Sequence, residues 1–203
     1  MHLKASCTSL CIILLTSSLL LAQTSGVETP SSLAKKSTRV LMAATDYGAG
    51  AIGFHRLGRP SRTNFVFGGG ILSATDLADQ TIDGAVYTQR GVLLPLRFGI
   101  RNELFRQELP SLDWAFYVVS TVGPVLAFGF PQGLDFQQTV SHINLGLGGE
   151  VYNAIGLEAS FGVGLALYLE GGVYALTTFA SRSLFHRGNY LGPSLAFGIR
   201  TGF

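Results

Sequence analysis

Beyond Cys11 this chain of 203 residues holds no cysteine, and beyond Lys36 it holds no lysine. The first absence removes disulfides, thiolate metal sites and cysteine nucleophiles from all but the N-terminus. The second is unusual for a water-facing surface. Charged residues make up only 13% of the chain, where a soluble domain carries about 25%. The net charge of +2 leaves no basic footprint, so no nucleic-acid partner is expected. No stretch after the N-terminus reaches ~18 uninterrupted apolar residues, which excludes a helical membrane span there. His2, His55, His142 and His186 show no metal-ligand spacing. Gly68-Gly69-Gly70 is followed by neither Lys-Ser/Thr nor a helix signal, so it is a site of close backbone approach in a strand and not a phosphate loop. No cofactor is expected.

What is present begins with an export signal. Lys4 precedes an apolar run from Leu10 to Leu21, interrupted by Cys11 and Thr16 to Ser18, and Ala22 to Gly26 supply small or polar residues for cleavage. This is the layout of a secretory signal peptide over 1–22, cut between about 22 and 26. Cys7 and Cys11 both fall inside it, and neither is placed like a lipid-modified cysteine. The polar residues 27–37 read as a periplasmic lead-in, and 38–203 as one folded domain.

Within that domain the dominant signal is alternation. Almost every odd position from 143 to 169 is apolar: Leu145, Leu147, Val151, Ile155, Leu157, Phe161, Leu165, Leu167 and Leu169 among them. The even positions are small or polar, including Gly146, Glu150, Glu158, Ser160 and Glu170. Side chains alternate faces along a strand, so this is β-structure with one bulky face. Val92 to Ile100, Trp114 to Phe130 and Leu195 to Phe203 repeat the pattern. The second face is poor in Lys, Glu, Thr and Asn and rich in Gly, Ala, Ser and Tyr. It suits the cramped lumen of a small barrel whose bulky face meets lipid. Arg97, Arg101 and Arg200 avoid the bulky face, as a lipid-facing cost of ~2–4 kcal/mol per midplane arginine demands.

The expected fold is therefore all-β: an antiparallel up-and-down transmembrane barrel. Eight strands are expected at about 39–55, 63–74, 84–104, 113–130, 141–152, 156–170, 172–182 and 189–203, with a turn near Asn153. Breaks at Gly48/Gly50 and Arg90-Gly91 would give ten, the competing count.

The closing pattern Leu195-x-Phe197-x-Ile199-x-Thr201-x-Phe203 resembles the last strand of bacterial outer-membrane β-barrel proteins. The resemblance implies residence in the outer membrane and recognition of Phe203 by the barrel-assembly machinery. It implies outer-membrane lipids as the surroundings, and it is silent on activity.

Three constellations are candidates for chemistry. Arg97, Arg101, Glu103, Glu150, Glu158, Glu170 and Arg200 share the lumen parity, with tyrosines 117, 152, 168 and 174 and His142 beside them. They are either an ion path or a plug of salt bridges, since charges within a membrane must pair or be hydrated. Arg56, Arg59 and Arg62 cluster in one connection, and Arg182 and Arg187 flank another. With both termini periplasmic, the strand list puts both connections outside, where arginine suits lipid phosphate; it also makes 75–83 and 131–140 periplasmic. Last, Ser183-x-x-His186-Arg187-Gly188-Asn189 partly resembles the His-x-Ser-Asn motif of outer-membrane lipid A deacylases, but Gly188 stands at the nucleophile's place. Three roles follow: a non-enzymatic structural or envelope-interaction barrel, a narrow porin-like channel, or a lipid A-modifying acyl hydrolase.

Overall fold

The computed structural model describes residues 38–45, 47–57, 62–74, 76–161, 165–180 and 184–201. The signal peptide, the lead-in and Phe203 lie outside the described residues. Ten strands run in chain order: β1 Thr38–Ala44, β2 Gly48–Leu57, β3 Thr63–Ala74, β4 Gln80–Ile82, β5 Ala85–Tyr87, β6 Gln89–Glu108, β7 Leu112–Pro131, β8 Asn144–Phe161, β9 Leu165–Ala180 and β10 Asn189–Thr201. One short helix, α1 Phe136–Ser141, precedes β8. The eight strands other than β4 and β5 close into a single antiparallel barrel in the ring order β1-β10-β9-β8-β7-β6-β3-β2. Every neighbour in that ring is also a neighbour in sequence among the barrel strands, apart from the seam between β1 and β10. This is the up-and-down topology that leaves no free edge.

The register fixes the bore. From Thr38, hydrogen-bonded partners lead through His55, Phe67, Phe98, Val122, Val151 and Ala175 to Leu191. Thr38 itself pairs across the seam with Thr201, ten residues further along β10. Such a stagger tilts the strands by roughly 40–45° and leaves an eight-stranded interior just wide enough for side chains.

Eight strands were expected and eight form the wall, through two compensating differences. The expected first strand is two: the chain reverses at Thr45, whose hydroxyl donates to the Gly48 carbonyl (2.8 Å) and accepts from the Gly48 amide (3.1 Å). The expected turn at Asn153 is absent. Residues 144–161 form one strand, in which Asn153 pairs with Ser120 on one side and Val173 on the other. The expected boundary between strands 156–170 and 172–182 falls within β9. The start of the expected 84–104 strand belongs instead to the small β4–β5 hairpin, which turns at Asp83 (φ 50°) and Gly84 (φ 82°). Positive φ at two successive residues is the type I′ turn that matches strand twist.

These shifts invert part of the expected loop assignment. The links β2–β3, β6–β7 and β8–β9 leave from the rim shared with Thr38 and Thr201, and the links β1–β2, β3–β6, β7–β8 and β9–β10 from the opposite rim. Arg56 and Arg62 are therefore on the terminal rim, and the Arg187 connection is on the other. The segments 75–83 and 131–140 share Arg187's rim. The three longest links, β3–β6, β7–β8 and β9–β10, all leave from the rim opposite Thr38 and Thr201.

The outer face is a band of bulky apolar side chains left in the open. Phe65, Ile71, Phe197, Leu195, Leu145 and Leu169 are all more than half exposed. So large an apolar surface around a closed barrel is stable only in lipid.

Candidate functional site

The candidate site is the lumen, where the inward-facing polar residues of β6, β8 and β9 meet. Arg97 and Glu150 are almost wholly buried, at 3% and 1% exposure. The Arg97 guanidinium donates to Glu150 through Nε (3.1 Å to Oε2) and through a second, closer contact from Nη2 to Oε1. The Tyr47 hydroxyl, from the β1–β2 turn, donates to the same carboxylate at 2.6 Å. Arg97 also lies over the Tyr152 ring, 4.6 Å from its centre.

Towards the terminal rim a second cluster repeats the arrangement. Arg101 donates to Glu158 Oε2 at 2.5 Å and lies 3.9 Å over the Tyr117 ring. Ser160 donates to the other Glu158 oxygen at 2.9 Å. Between the clusters, Glu170 accepts from Tyr117 (2.7 Å) and Tyr152 (3.0 Å). Tyr117 and Tyr152 therefore link the two ion pairs through one carboxylate. Each buried charge named here has a partner, as a low-dielectric interior requires.

Six of the seven expected lumen residues thus come together: Arg97, Arg101, Glu103, Glu150, Glu158 and Glu170. Glu103 is at the edge of the second cluster, 4.0 Å from Arg101 Nη1 and beside the β-bulge in β6, where Arg106 grips it through two contacts of 2.7 Å. Arg200 keeps the expected parity and its backbone pairs with Ala166 and Arg39; its side chain lies outside the described residues. His142 is not in the lumen; its ring is near the Gln138 carbonyl at the end of α1.

Two features were missed. The β1–β3 side of the lumen is apolar, filled by Leu41, Ile52, Phe54, Val66 and Leu72. Gly68 and Gly70 give those chains room: a Cβ at either position would run into Phe54 or Ile52. The rim of long connections is also capped. Leu184 is fully buried and Phe185 nearly so. Leu77 bridges Phe185, the Ala78 amide donates to the Leu184 carbonyl (3.0 Å), and Gln89 donates to the Ala78 carbonyl (2.7 Å). Strand glycines make the seats: a Cβ at Gly129 or Gly146 would strike Leu184, and one at Gly91 would strike Leu77. Tyr190 donates to the Asp76 carbonyl at 3.3 Å, and Arg187 stands 3.6 Å from the Asp76 carboxylate.

The acyl-hydrolase constellation does not assemble in the described residues. His186, Gly188 and Asn189 are exposed on the capped rim, and Ser183, Arg182 and Arg59 lie outside the described residues.

A closed, staggered eight-stranded ring with an apolar exterior and paired charges inside defines a small transmembrane β-barrel. No protein-family model matches the chain, and no curated protein matches it. Among solved structures it is similar to a major outer membrane protein from Thermus thermophilus, with a TM-score of 0.41 and 12% identity over 83% of this chain and 98% of that one. It is also similar to Ail, the attachment invasion locus protein of Yersinia pestis, with a TM-score of 0.38 and 6% identity over 84% of this chain and 99% of that one.

Proposed function

We propose that this chain is a bacterial outer-membrane barrel with a structural or envelope-interaction role, in which the lumen is a folded core and not a passage, and which catalyses no reaction. The observation that carries the reading is the filled and capped interior. Paired charges and tyrosines occupy one side of the lumen, and Leu41, Ile52, Phe54, Val66 and Leu72 occupy the other. Leu184 and Leu77 seat over the far mouth. An eight-stranded bore has little room beyond its own side chains, so a continuous water path would need these groups displaced.

The outer membrane is favoured by the asymmetry of the connections. Barrels of that membrane have short periplasmic turns and longer outer loops, which sets the terminal rim inside and the capped rim outside. On the outer rim the chain presents α1 and the β4–β5 hairpin, where Phe136 is 85% and Val86 67% exposed. These apolar side chains on projecting elements suit contact with another envelope component. Of the arginines considered for lipid phosphate, Arg187 is exposed on this rim; Arg56 and Arg62 fall on the inner rim. Export by the signal peptide and delivery by the barrel-assembly machinery complete the proposal.

The test is single-channel recording with the refolded barrel in a planar bilayer. The expected record shows no discrete conductance steps at 100 mV in molar salt. Regular steps that vanish when the protein is omitted would make the chain a channel.

A further inference from the structure

The lumen accounts for the inward-facing polar residues. It does not explain two polar residues on the opposite face. Ser120 and Asn153 sit on the outward parity of β7 and β8, in line with Phe116, Val118 and Val122 on one strand and Leu145, Leu147, Ile155 and Leu157 on the other. They are directly paired in the register, and the Ser120 hydroxyl donates to Asn153 Oδ1 at 2.6 Å. Both lie near the middle of their strands, as does Val173, the partner of Asn153 on β9. A transmembrane barrel has its hydrocarbon midplane there.

Ser120 is shielded by its neighbours at 3% exposure, while Asn153 is only half-buried. Among the described residues, the Ser120 hydroxyl is the one side-chain partner that Asn153 has. The Asn153 amide has two N–H donors and a second lone pair on its oxygen, and hydrocarbon satisfies none of them. A single barrel in lipid leaves these groups unmet.

The surface around Asn153 differs from the rest of the wall. On β9 it is flanked by Gly171, Val173 and Ala175, with Val151 and Ile155 before and after it on β8, and a Cβ at Gly171 would meet nothing within 4 Å. The far wall instead presents Met42, Phe65, Phe98 and Phe197. Small residues let two membrane-embedded walls approach closely, and a polar side chain can then bond across the gap.

We propose that the Ser120–Asn153 pair is the centre of a two-fold contact with a second copy of this chain within the membrane. A second copy is the occupant that the chemistry favours. A primary amide carries both donor and acceptor, so it is complementary to itself. A two-fold axis sets one patch against its own copy. With the axis beside Asn153, each amide donates to the oxygen of the other, and the open space at Gly171 accepts an apolar side chain of the facing copy. A lipid acyl chain has no group to offer the amide.

The proposal rests on the barrel's being embedded in lipid. It makes no demand on whether the lumen conducts, so bilayer recording and the following test fail separately. Because the chain beyond residue 11 is free of cysteine, single cysteines report contacts cleanly. Ala175 pairs with Val151, two residues from Asn153 on the same outward face, and so lies close to the proposed axis. Val40, 45% exposed on β1, lies on the far wall. The full mature chain is expressed in a bacterial outer membrane with Ala175→Cys or Val40→Cys and oxidised with copper phenanthroline. Ala175→Cys is expected to give a disulfide-linked dimer, and Val40→Cys at least tenfold less. Adding Asn153→Leu or, separately, Ser120→Ala to Ala175→Cys is expected to lower the dimer severalfold, while heat-modifiable gel mobility shows the barrel still folded. No dimer with Ala175→Cys overturns the proposal. So does a dimer undiminished in folded Asn153→Leu, or equal dimer from Val40→Cys.

Discussion

Removing one partner of the Arg97–Glu150 pair separates a dry lumen from a wet one. Glu150→Leu strips a carboxylate that is 1% exposed and leaves a guanidinium that is 3% exposed. It also orphans the Tyr47 hydroxyl, which donates to Glu150 at 2.6 Å. In a water-free interior, an unpaired buried charge costs about 3–5 kcal/mol, and the lost phenol bond adds about 1–3 kcal/mol. Removing both charges is a different perturbation. Arg97→Met with Glu150→Leu replaces the pair by apolar groups of similar reach, which is often close to neutral, so mainly the Tyr47 cost remains. Adding Tyr47→Phe should remove that too. The order expected is therefore single variant far below the double, and double slightly below the triple. Urea unfolding in lipid vesicles measures it, with the one tryptophan of the chain, Trp114 on the outward face of β7, as reporter. If water reached the pair, it would behave as an exposed ion pair worth about 0–1 kcal/mol. A single variant no less stable than the double would thus refute the closed lumen.

Other perturbations probe the wall and the rim. Leu169→Arg, on a lipid-facing side chain 54% exposed in β9, should cost ~2–4 kcal/mol in the same titration, whereas Val86→Arg on the projecting hairpin should stay within about 0.5 kcal/mol; equal effects would mean that the wall does not face lipid. Gly123→Ala should block heat-modifiable folding, because its methyl would overlap the Leu96 carbonyl of the neighbouring strand, a backbone atom with nowhere to go. Gly84→Ala, which meets no atom but sits at φ +82°, should fold with a loss of about 1–2 kcal/mol. Expression in a bacterial host should leave lipid A acylation unchanged by mass spectrometry; a lost acyl chain that returns with His186→Ala would establish a hydrolase at the capped rim.

The closed antiparallel barrel and its inside–outside parity were legible because alternation is a local property. Each bulky residue of β6 to β10 reports its face through its immediate neighbours. The turns were less legible. The outward face passes from even positions in β1, Val40 and Met42, to odd ones in β2, Ala49 and His55, but residues 43–53 are mostly small on both faces, so Gly48/Gly50 was the main sign of the reversal. A turn near Asn153 fitted the alternation because a three-residue turn preserves parity across a hairpin, as a continuous strand also does. The Asp83-Gly84 pair was a readable hairpin signal hidden inside an expected loop and strand. The polar lumen cluster could be read as a set but not as pairs. Glu150 meets Arg97, and Glu158 meets Arg101, only through the stagger between β6 and β8, which no single strand encodes. The cap was invisible for the same reason: Leu77 and Leu184 lie in connections, and their seats are glycines on three other strands.

The central claim is that the lumen is a packed, waterless core. Ser194 tests it most directly, because it lies inside the lumen at mid-strand of β10, 6% exposed, and cysteine replaces serine with almost no change in size. Folded Ser194→Cys barrel in vesicles would be treated with a small cationic methanethiosulfonate reagent, and labelling followed by mass. The account predicts no labelling of the folded barrel over hours and complete labelling in urea. Labelling of the folded barrel within seconds, from either side of the membrane, would contradict it.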